Sequence, residues 1–144
     1  MNDRQRATYH LTMAIIILMI GIILAFTFFM VYPFKVIEFN DDKFPVENEI
    51  VRAGEYAIVQ IDLDKNIACP AQISKQLVNS IVYTYPVVVS NYPVGNADLI
   101  LPVKIPEYAE TGLYHIIFTY VYHLGFRELT YSNETVMFNV IGGD

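Results

Sequence analysis

The stretch LTMAIIILMIGIILAFTFFMVY, residues 11–32, runs for 22 positions without a charged residue. As a helix rising ~1.5 Å per residue it would be roughly 33 Å long, close to the ~30 Å hydrocarbon core of a bilayer. Leaving so many Ile, Leu, Met and Phe side chains in water would be costly. A buried core helix is the alternative, but it needs a large protein around it and only 112 residues follow. The sequence therefore predicts a transmembrane helix at 11–32.

The charges that flank this stretch predict its orientation. Arg4 and Arg6 lie in the leader 1–10, whereas one basic residue, Lys35, follows closely on the other side. The positive-inside rule then places the leader in the cytoplasm and the rest outside it, in a periplasm or at the cell exterior. A cleaved signal peptide would have a shorter apolar region ending in small residues. This one ends in FFMVY, so we predict an uncleaved signal anchor.

Small residues recur on one face of the predicted helix. Ala14, Gly21 and Ala25 are spaced by seven and four positions, which brings them to the same side. Faces of this kind let two helices approach closely, so they predict packing against a second copy or a partner helix. The alternative is that Gly and Ala are simply frequent in spanning helices.

Residues 33–144 are predicted to form one all-β domain outside the cytoplasm. EYAIVQIDLD at 55–64 alternates apolar and polar residues, as a half-buried strand does. SIVYTYPVVV at 80–89 is apolar on both faces, which predicts a central strand, whereas 69–79 is predicted to be a loop with room for a helical turn. About seven strands with short turns are typical of an antiparallel β-sandwich. The predicted strands are 34–39, 49–52, 55–64, 80–89, 97–106, 113–123, and the pair 127–131 and 135–141.

One local pattern resembles a known family of sandwiches. The run Glu110-x-Gly112-x-Tyr114-x-Ile116 resembles the start of strand F in immunoglobulin-like domains, Asp-x-Gly-x-Tyr-x-Cys. The resemblance implies that Tyr114 is a tyrosine-corner residue, whose hydroxyl bonds to backbone a few residues upstream. Ile116 stands where the disulfide cysteine would be. The chain therefore resembles an immunoglobulin-like or fibronectin III-like sandwich without the disulfide.

The charge balance and the cysteine content restrict the partners and the chemistry. The net charge is −6, with the acidic excess after the anchor, which argues against nucleic acid or anionic lipid as an electrostatic partner, because both need a basic face. The single cysteine, Cys69, is either a buried free thiol or an intermolecular bridge.

Motifs for catalysis or metal binding are incomplete. Asp62-x-Asp64-x-Asn66 copies the first ligands of a calcium loop, but the glycine and glutamate that should follow are absent. His115 and His123 are eight residues apart on one strand, about 26 Å, too far to share a metal. No nucleophile elbow or phosphate loop occurs. We therefore predict no catalytic residue, no metal and no cofactor.

These observations predict a non-enzymatic single-pass membrane protein whose immunoglobulin-like domain is a docking or structural module in an envelope-associated assembly. Two alternatives remain open: a virus- or phage-encoded membrane protein, and a ligand- or metal-binding accessory subunit of a membrane enzyme or transporter. The predicted partners are the lipid bilayer and a protein or second copy, bound through the helix or through an acidic distal end.

A fibronectin III-like strand order also predicts which loops face the membrane. Loops 65–79, 90–97 and 123–127 would lie at the membrane end, with Tyr92, Leu124 and Phe126 at their tips. The acidic connections 40–54 and 106–112 would lie at the distal end. Aromatic tips tolerate a membrane interface, whereas an anionic surface repels acidic loops. The alternative is that the apolar tips only cap the core.

Overall fold

The computed structural model of the protein describes residues 2–32 and 34–143. The chain divides into two compact units, Met1–Phe34 and Lys35–Asp144. The first unit consists of one long helix, and the second is built from ten β-strands.

The helix α1, Asp3–Val31, is 29 residues long and is capped at its N-terminus by its own sequence. Asn2 accepts a hydrogen bond in a capping box in which Gln5 bonds back to the Asn2 backbone. Such caps satisfy backbone donors of the first turn, so the helix begins eight residues before the predicted apolar span. No residue of α1 is buried, and the helix is long and apolar enough to cross a membrane.

The second unit is a β structure in two sheets. The three-stranded sheet has the order β1-β3-β7, and both of its pairings are antiparallel. The second sheet has the order β2-β10-β8-β4-β5, with β6 also on β4 and β9 also on β8. Its β2–β10 pairing is parallel, and its other pairings are antiparallel. The strands are β1 (Ile37–Phe39), β2 (Ile50–Arg52), β3 (Tyr56–Lys65), β4 (Ala71–Val78), β5 (Val82–Thr84), β6 (Val88–Ser90), β7 (Gly95–Lys104), β8 (Gly112–Leu124), β9 (Arg127–Glu134) and β10 (Phe138–Ile141).

The core is formed by the inward-facing residues of both sheets. The prediction for 55–64 is confirmed, because the alternate apolar residues of β3 are all fully buried. Opposite them, β8 contributes large aromatic side chains, and edge-to-face rings fill the space between the sheets. Every residue of the buried core belongs to the second unit. The aromatic residues at its centre are Phe44, Phe118, Tyr120, Tyr122 and Phe138.

Two of the predicted elements between residues 69 and 90 are wrong. The stretch 69–79 is not a loop, since β4 occupies most of it and lies in the middle of the second sheet. The stretch 80–89 is not a central strand, because it divides into β5 and β6, two three-residue edge strands with exposed valines. Pro86 lies between them and has no N–H to donate to a neighbouring strand.

The C-terminal region also differs in detail from the prediction. Residues 127–141 form two strands, β9 and β10, which pair in succession along the same side of β8. The predicted segments 127–131 and 135–141 therefore belong to two separate strands, the first of which continues to Glu134. The predicted all-β architecture after one apolar helix is confirmed, with more and shorter strands than expected.

Candidate functional site

Four segments of the β unit meet at the end where the chain enters it, called here the proximal end: residues 35–36, 65–70, 91–95 and 123–127. The strand registers bring them together, because Lys65 lies opposite both Ile37 and Gly95. In the other sheet Ala71 lies opposite both Ser90 and Tyr122. Loops that are distant in sequence therefore lie at the same end of the β unit because of the strand order and register.

A buried lysine ties these loops together. The side chain of Lys65 is 2% exposed, and its ammonium group donates to the carbonyl oxygens of Cys69 and Tyr92, both at 2.7 Å. A third hydrogen bond reaches Oδ1 of Asn91 at 3.3 Å. All three donors of the ammonium are therefore used, with no carboxylate among these partners. Burial lowers the pKa of Lys65, because desolvation disfavours the charged form.

Cys69 and two tyrosines line the interior behind this lysine. The Cys69 thiol is free, 7% exposed, and donates to the carbonyl oxygen of His123 at 3.3 Å, which joins the two loops. The ammonium of Lys65 lies 5.9 Å from the ring centre of Tyr122. Burial raises the pKa of Tyr122 to about 12 and raises that of Tyr120 as well. Among the described residues, the hydroxyls of these two tyrosines have no hydrogen-bond partner.

A tight hairpin forms the outermost part of the proximal end. Leu124 pairs with Arg127, so only Gly125 and Phe126 make the turn between β8 and β9. Gly125 has a φ of 61°, a conformation that suits glycine. Phe126 is 87% exposed, although such turns usually carry Gly, Asn, Asp or Ser. The backbone therefore presents an aromatic ring to the surroundings where a polar residue is expected.

The three predicted membrane-facing tips lie in this region but differ in exposure. Phe126 is exposed, whereas Leu124 and Tyr92 are half-buried and Tyr92 packs against the core. Val94, in the loop that carries Tyr92, is 56% exposed and was not among the predicted tips. The loop that carries Val94 crosses from β6 in one sheet to β7 in the other and leaves some side chains without core contacts. In the sequence, the valine that follows Pro93 indicated an apolar residue in this loop.

The opposite, distal end holds the predicted corner. The Tyr114 hydroxyl donates to the carbonyl oxygen of Glu110 at 2.9 Å, and its side chain is 1% exposed. A Cβ on Gly112 would lie 2.7 Å from the Asn79 amide nitrogen, so this position favours glycine. Ile116 is fully buried in the core. Of the acidic residues expected at this end, Asp41 lies elsewhere, beside β9, where its carbonyl accepts from the Asn133 amide at 3.1 Å.

The incomplete calcium motif is held by amides. The Asn96 amide donates to Asp62 at 2.9 Å and to Asp64 at 3.0 Å. Hydrogen bonds from Asn40 and Asn96 lower the pKa of Asp62. The third predicted ligand, Asn66, donates instead to the Lys35 carbonyl at 3.3 Å. Across residues 2–32 and 34–143, no cluster of three His, Cys, Asp or Glu side chains is placed to hold a metal.

The two strand histidines have different ion-pair partners, and the small residues of the helix lie on its exposed surface. His115 lies 3.2 Å from Glu134, whereas His123 lies 3.9 Å from Glu128. Ala14, Gly21 and Ala25 are exposed on α1, and a Cβ on Gly21 would meet nothing within 4 Å. Their packing against another helix stays a prediction.

No family model and no curated protein matches the chain. A solved structure that it resembles is the alkylpurine DNA glycosylase AlkC of Pseudomonas fluorescens, bound to DNA containing an abasic site analog. The likeness has a TM-score of 0.44 and 12% identity, and it covers 81% of this chain. The chain spans about a third of that protein, 33% of its length.

This neighbour corrects three predictions about function. It is an enzyme bound to DNA, which contradicts the expected non-enzymatic docking role, the expected lack of enzyme activity and the exclusion of nucleic acid. Those predictions are withdrawn, together with the alternatives of a phage protein and an accessory subunit. At this TM-score the likeness assigns neither a fold nor glycosylase activity to the present chain.

Proposed function

We propose that α1 anchors this protein in a membrane, with its N-terminus in the cytoplasm and the β unit on the extracytoplasmic side. The observation that carries the proposal is the continuous apolar helix Asp3–Val31, none of whose residues is buried within its own unit. Residues 11–31 carry no charge over a length of ~32 Å, which matches the hydrocarbon core of a bilayer.

Free energy favours placing this helix in lipid. Its Ile, Leu, Met and Phe side chains lie open on all sides, with Leu24 65% exposed and Phe28 62% exposed. Burying one such side chain is worth about 1.5–3 kcal/mol, so the helix gains tens of kcal/mol in a bilayer. The backbone bonds of a helix are satisfied internally, as the membrane interior requires.

The charge distribution supports the orientation. The positive charges at the start of α1 are Arg4 and Arg6, and the last turn contains no basic residue. Lys35 follows the helix, but it forms an ion pair with Glu38 at 2.8 Å. The excess of free positive charge at the N-terminal end favours retention of that end in the cytoplasm. The bulky residues at the end of the helix favour an anchor that is not removed.

We further propose that the anchored unit is an immunoglobulin-like sandwich. The support is the division into sheets β1-β3-β7 and β2-β10-β8-β4, with β1 and β2 on different sheets. The hydrogen bond from Tyr114 to Glu110 has the geometry that a tyrosine corner requires. The fold leaves the activity of the domain open, since unrelated functions occur on such sandwiches.

The orientation is tested with two cysteines at opposite ends of the chain. Ala7→Cys and Tyr108→Cys are made separately in a Cys69→Ala background and expressed in a bacterial host. Both native residues are exposed, and Tyr108 is 76% exposed at the distal end. Intact spheroplasts are then treated with a maleimide that does not cross membranes.

The proposal predicts that Tyr108→Cys is labelled in intact spheroplasts, whereas Ala7→Cys is labelled only after lysis. The reverse pattern contradicts the orientation. Recovery of the labelled β unit in the soluble fraction, without residues 1–32, contradicts anchoring by α1. Labelling of both cysteines in lysed spheroplasts is the control that each is reactive.

A further inference from the structure

We infer that the proximal end of the β unit contacts the bilayer surface, with Phe126 inserted into the interfacial layer. The inference rests on the proposed anchoring and adds to it a lipid-binding surface on the folded unit itself. Three independent features carry it: the position of the chain entry point, the side chain at the tip of the β8–β9 hairpin, and the rigidity of the loops around it.

The first feature is the short connection to α1. Val31 ends the helix, and Val36 is already fully buried in the β unit, with its N–H bonded to the Tyr131 hydroxyl at 2.9 Å. Residues 32–35 therefore form the whole connection, and a fully extended chain of that length reaches at most ~18 Å. An anchored helix thus holds Val36, where the chain enters the β unit, within that distance of the membrane boundary.

The second feature is the chemistry of the tip. Phe126 is 87% exposed at a two-residue turn, and Val94 at the same end is 56% exposed. A solvated aromatic ring at such a turn loses the burial that would stabilise it, unless another apolar phase receives it. In membrane proteins, exposed aromatic rings lie at the level of the lipid headgroups, where the bilayer supplies this apolar phase.

The third feature is the fixed position of the loops. The ammonium of Lys65 holds the carbonyls of Cys69 and Tyr92, and the Cys69 thiol holds that of His123. These bonds connect three of the four proximal segments, so Phe126 and Val94 are presented on a preorganised surface. Little conformational entropy is then lost when the surface meets lipid.

The charges at this end are mixed. Asp62 and Asp64 of β3 lie close to it and accept hydrogen bonds from the Asn96 amide, and Glu38 is paired with Lys35 at 2.8 Å. The contact therefore rests on the apolar side chain at the tip and not on attraction between charges.

The chain contains no tryptophan, which makes a direct test possible. Phe126→Trp and Tyr108→Trp each introduce a single indole at an exposed aromatic position, one at the proximal end and one at the distal end. The full chain is reconstituted in vesicles of phosphatidylcholine and phosphatidylglycerol, with and without brominated acyl chains. Co-flotation with the vesicles reports anchoring, and emission wavelength and quenching report the position of each indole.

For Phe126→Trp we expect blue-shifted emission that brominated lipid reduces at least about twofold, as for an indole in the interfacial belt. Tyr108→Trp should emit as in water and remain unquenched. If both variants float but Phe126→Trp emits as in water, the inference fails while the anchor stands. A blue shift without quenching also overturns it, because the ring is then buried in protein. Failure to float contradicts the proposed anchoring itself.

Discussion

Replacing Tyr114 with phenylalanine removes one hydroxyl and leaves the ring in place, so it removes the hydrogen bond of the corner together with the contact between this hydroxyl and Tyr83. That hydroxyl donates to the Glu110 carbonyl at 2.9 Å, and the side chain is 1% exposed. Such a bond contributes about 0.5–1.5 kcal/mol net to folding. Because the bond is only partly buried, water can reach the freed carbonyl, and we expect a loss near 1 kcal/mol.

Tyr120 provides the matched control on the same strand. It is fully buried like Tyr114, but its hydroxyl has no hydrogen-bond partner among residues 2–32 and 34–143. Tyr120→Phe should therefore leave the free energy of unfolding within about 0.5 kcal/mol or increase it, since an unpaired hydroxyl is costly to bury. The difference in free energy of unfolding between the two variants measures the hydrogen bonding of the Tyr114 hydroxyl, because any general effect of replacing a buried tyrosine with phenylalanine cancels.

The assay is urea unfolding of the full chain in a mild detergent, followed by tyrosine fluorescence of the β unit. For a unit of 110 residues, a loss of 1 kcal/mol also lowers the melting temperature by about 4 °C. Equal effects of Tyr114→Phe and Tyr120→Phe would refute the corner as a source of stability. A changed slope with urea would show an altered unfolded state, and the comparison would then rest on the thermal data.

Three further predictions concern the β unit. The fragment 34–144 should fold alone as a monomeric β protein, because its core contains no residue of α1; a disordered far-ultraviolet spectrum would contradict this. Lys65→Met should destabilise the unit by about 2–4 kcal/mol by leaving two buried carbonyls unpaired, whereas the exposed Lys104→Met should change stability by less than about 0.5 kcal/mol in the same melt. The pKa of Tyr122 is about 12 in the folded state and near 10 in the unfolded state. Its contribution to the free energy of unfolding is therefore fully present below pH ~10 and is lost as the pH rises to ~12. Tyr122→Phe should therefore reduce the alkaline slope of stability by about 1.4 kcal/mol per pH unit, and an unchanged slope would contradict its burial.

Strict alternation in β3 allowed that strand to be predicted from sequence. The same parity places Lys65 on the inner face after Ala57, Val59, Ile61 and Leu63, so the signal for a buried lysine was present. It was missed because a lysine at the end of a strand usually points into solvent. Only the folded loops supply the carbonyl oxygens that make its burial possible.

Strand β4 was missed for a related reason. Ala71, Ile73 and Leu77 face the core, but Lys75 interrupts their apolar series. In the structure the Lys75 ammonium lies 5.8 Å from the ring centre of Tyr85, which directly follows β5 and accommodates the cation. In the stretch 80–89 the prediction was wrong in the opposite sense. Its valines are apolar and were therefore predicted to be buried, but they lie exposed at a sheet edge.

The proximal end could be predicted only in part. Phe126 stands out in the sequence as an apolar residue in a turn, and the strand count suggested which loops share an end. The exposure of each tip depends on how neighbouring loops pack, which local sequence does not determine. Leu124 and Tyr92 are half-buried for that reason, whereas Phe126, at the second position of a two-residue turn, has no core within reach.

Alkaline extraction of membranes followed by measurement of the intact mass tests whether α1 anchors the protein. We expect the protein to stay in the membrane pellet at high pH, with a mass that includes the residues of α1. The matched variant Ile16→Arg/Ile20→Arg, which places two charges in the middle of the span, should appear in the extract instead. Extraction of the unaltered protein, or a mass that lacks the residues of α1, would contradict anchoring by α1.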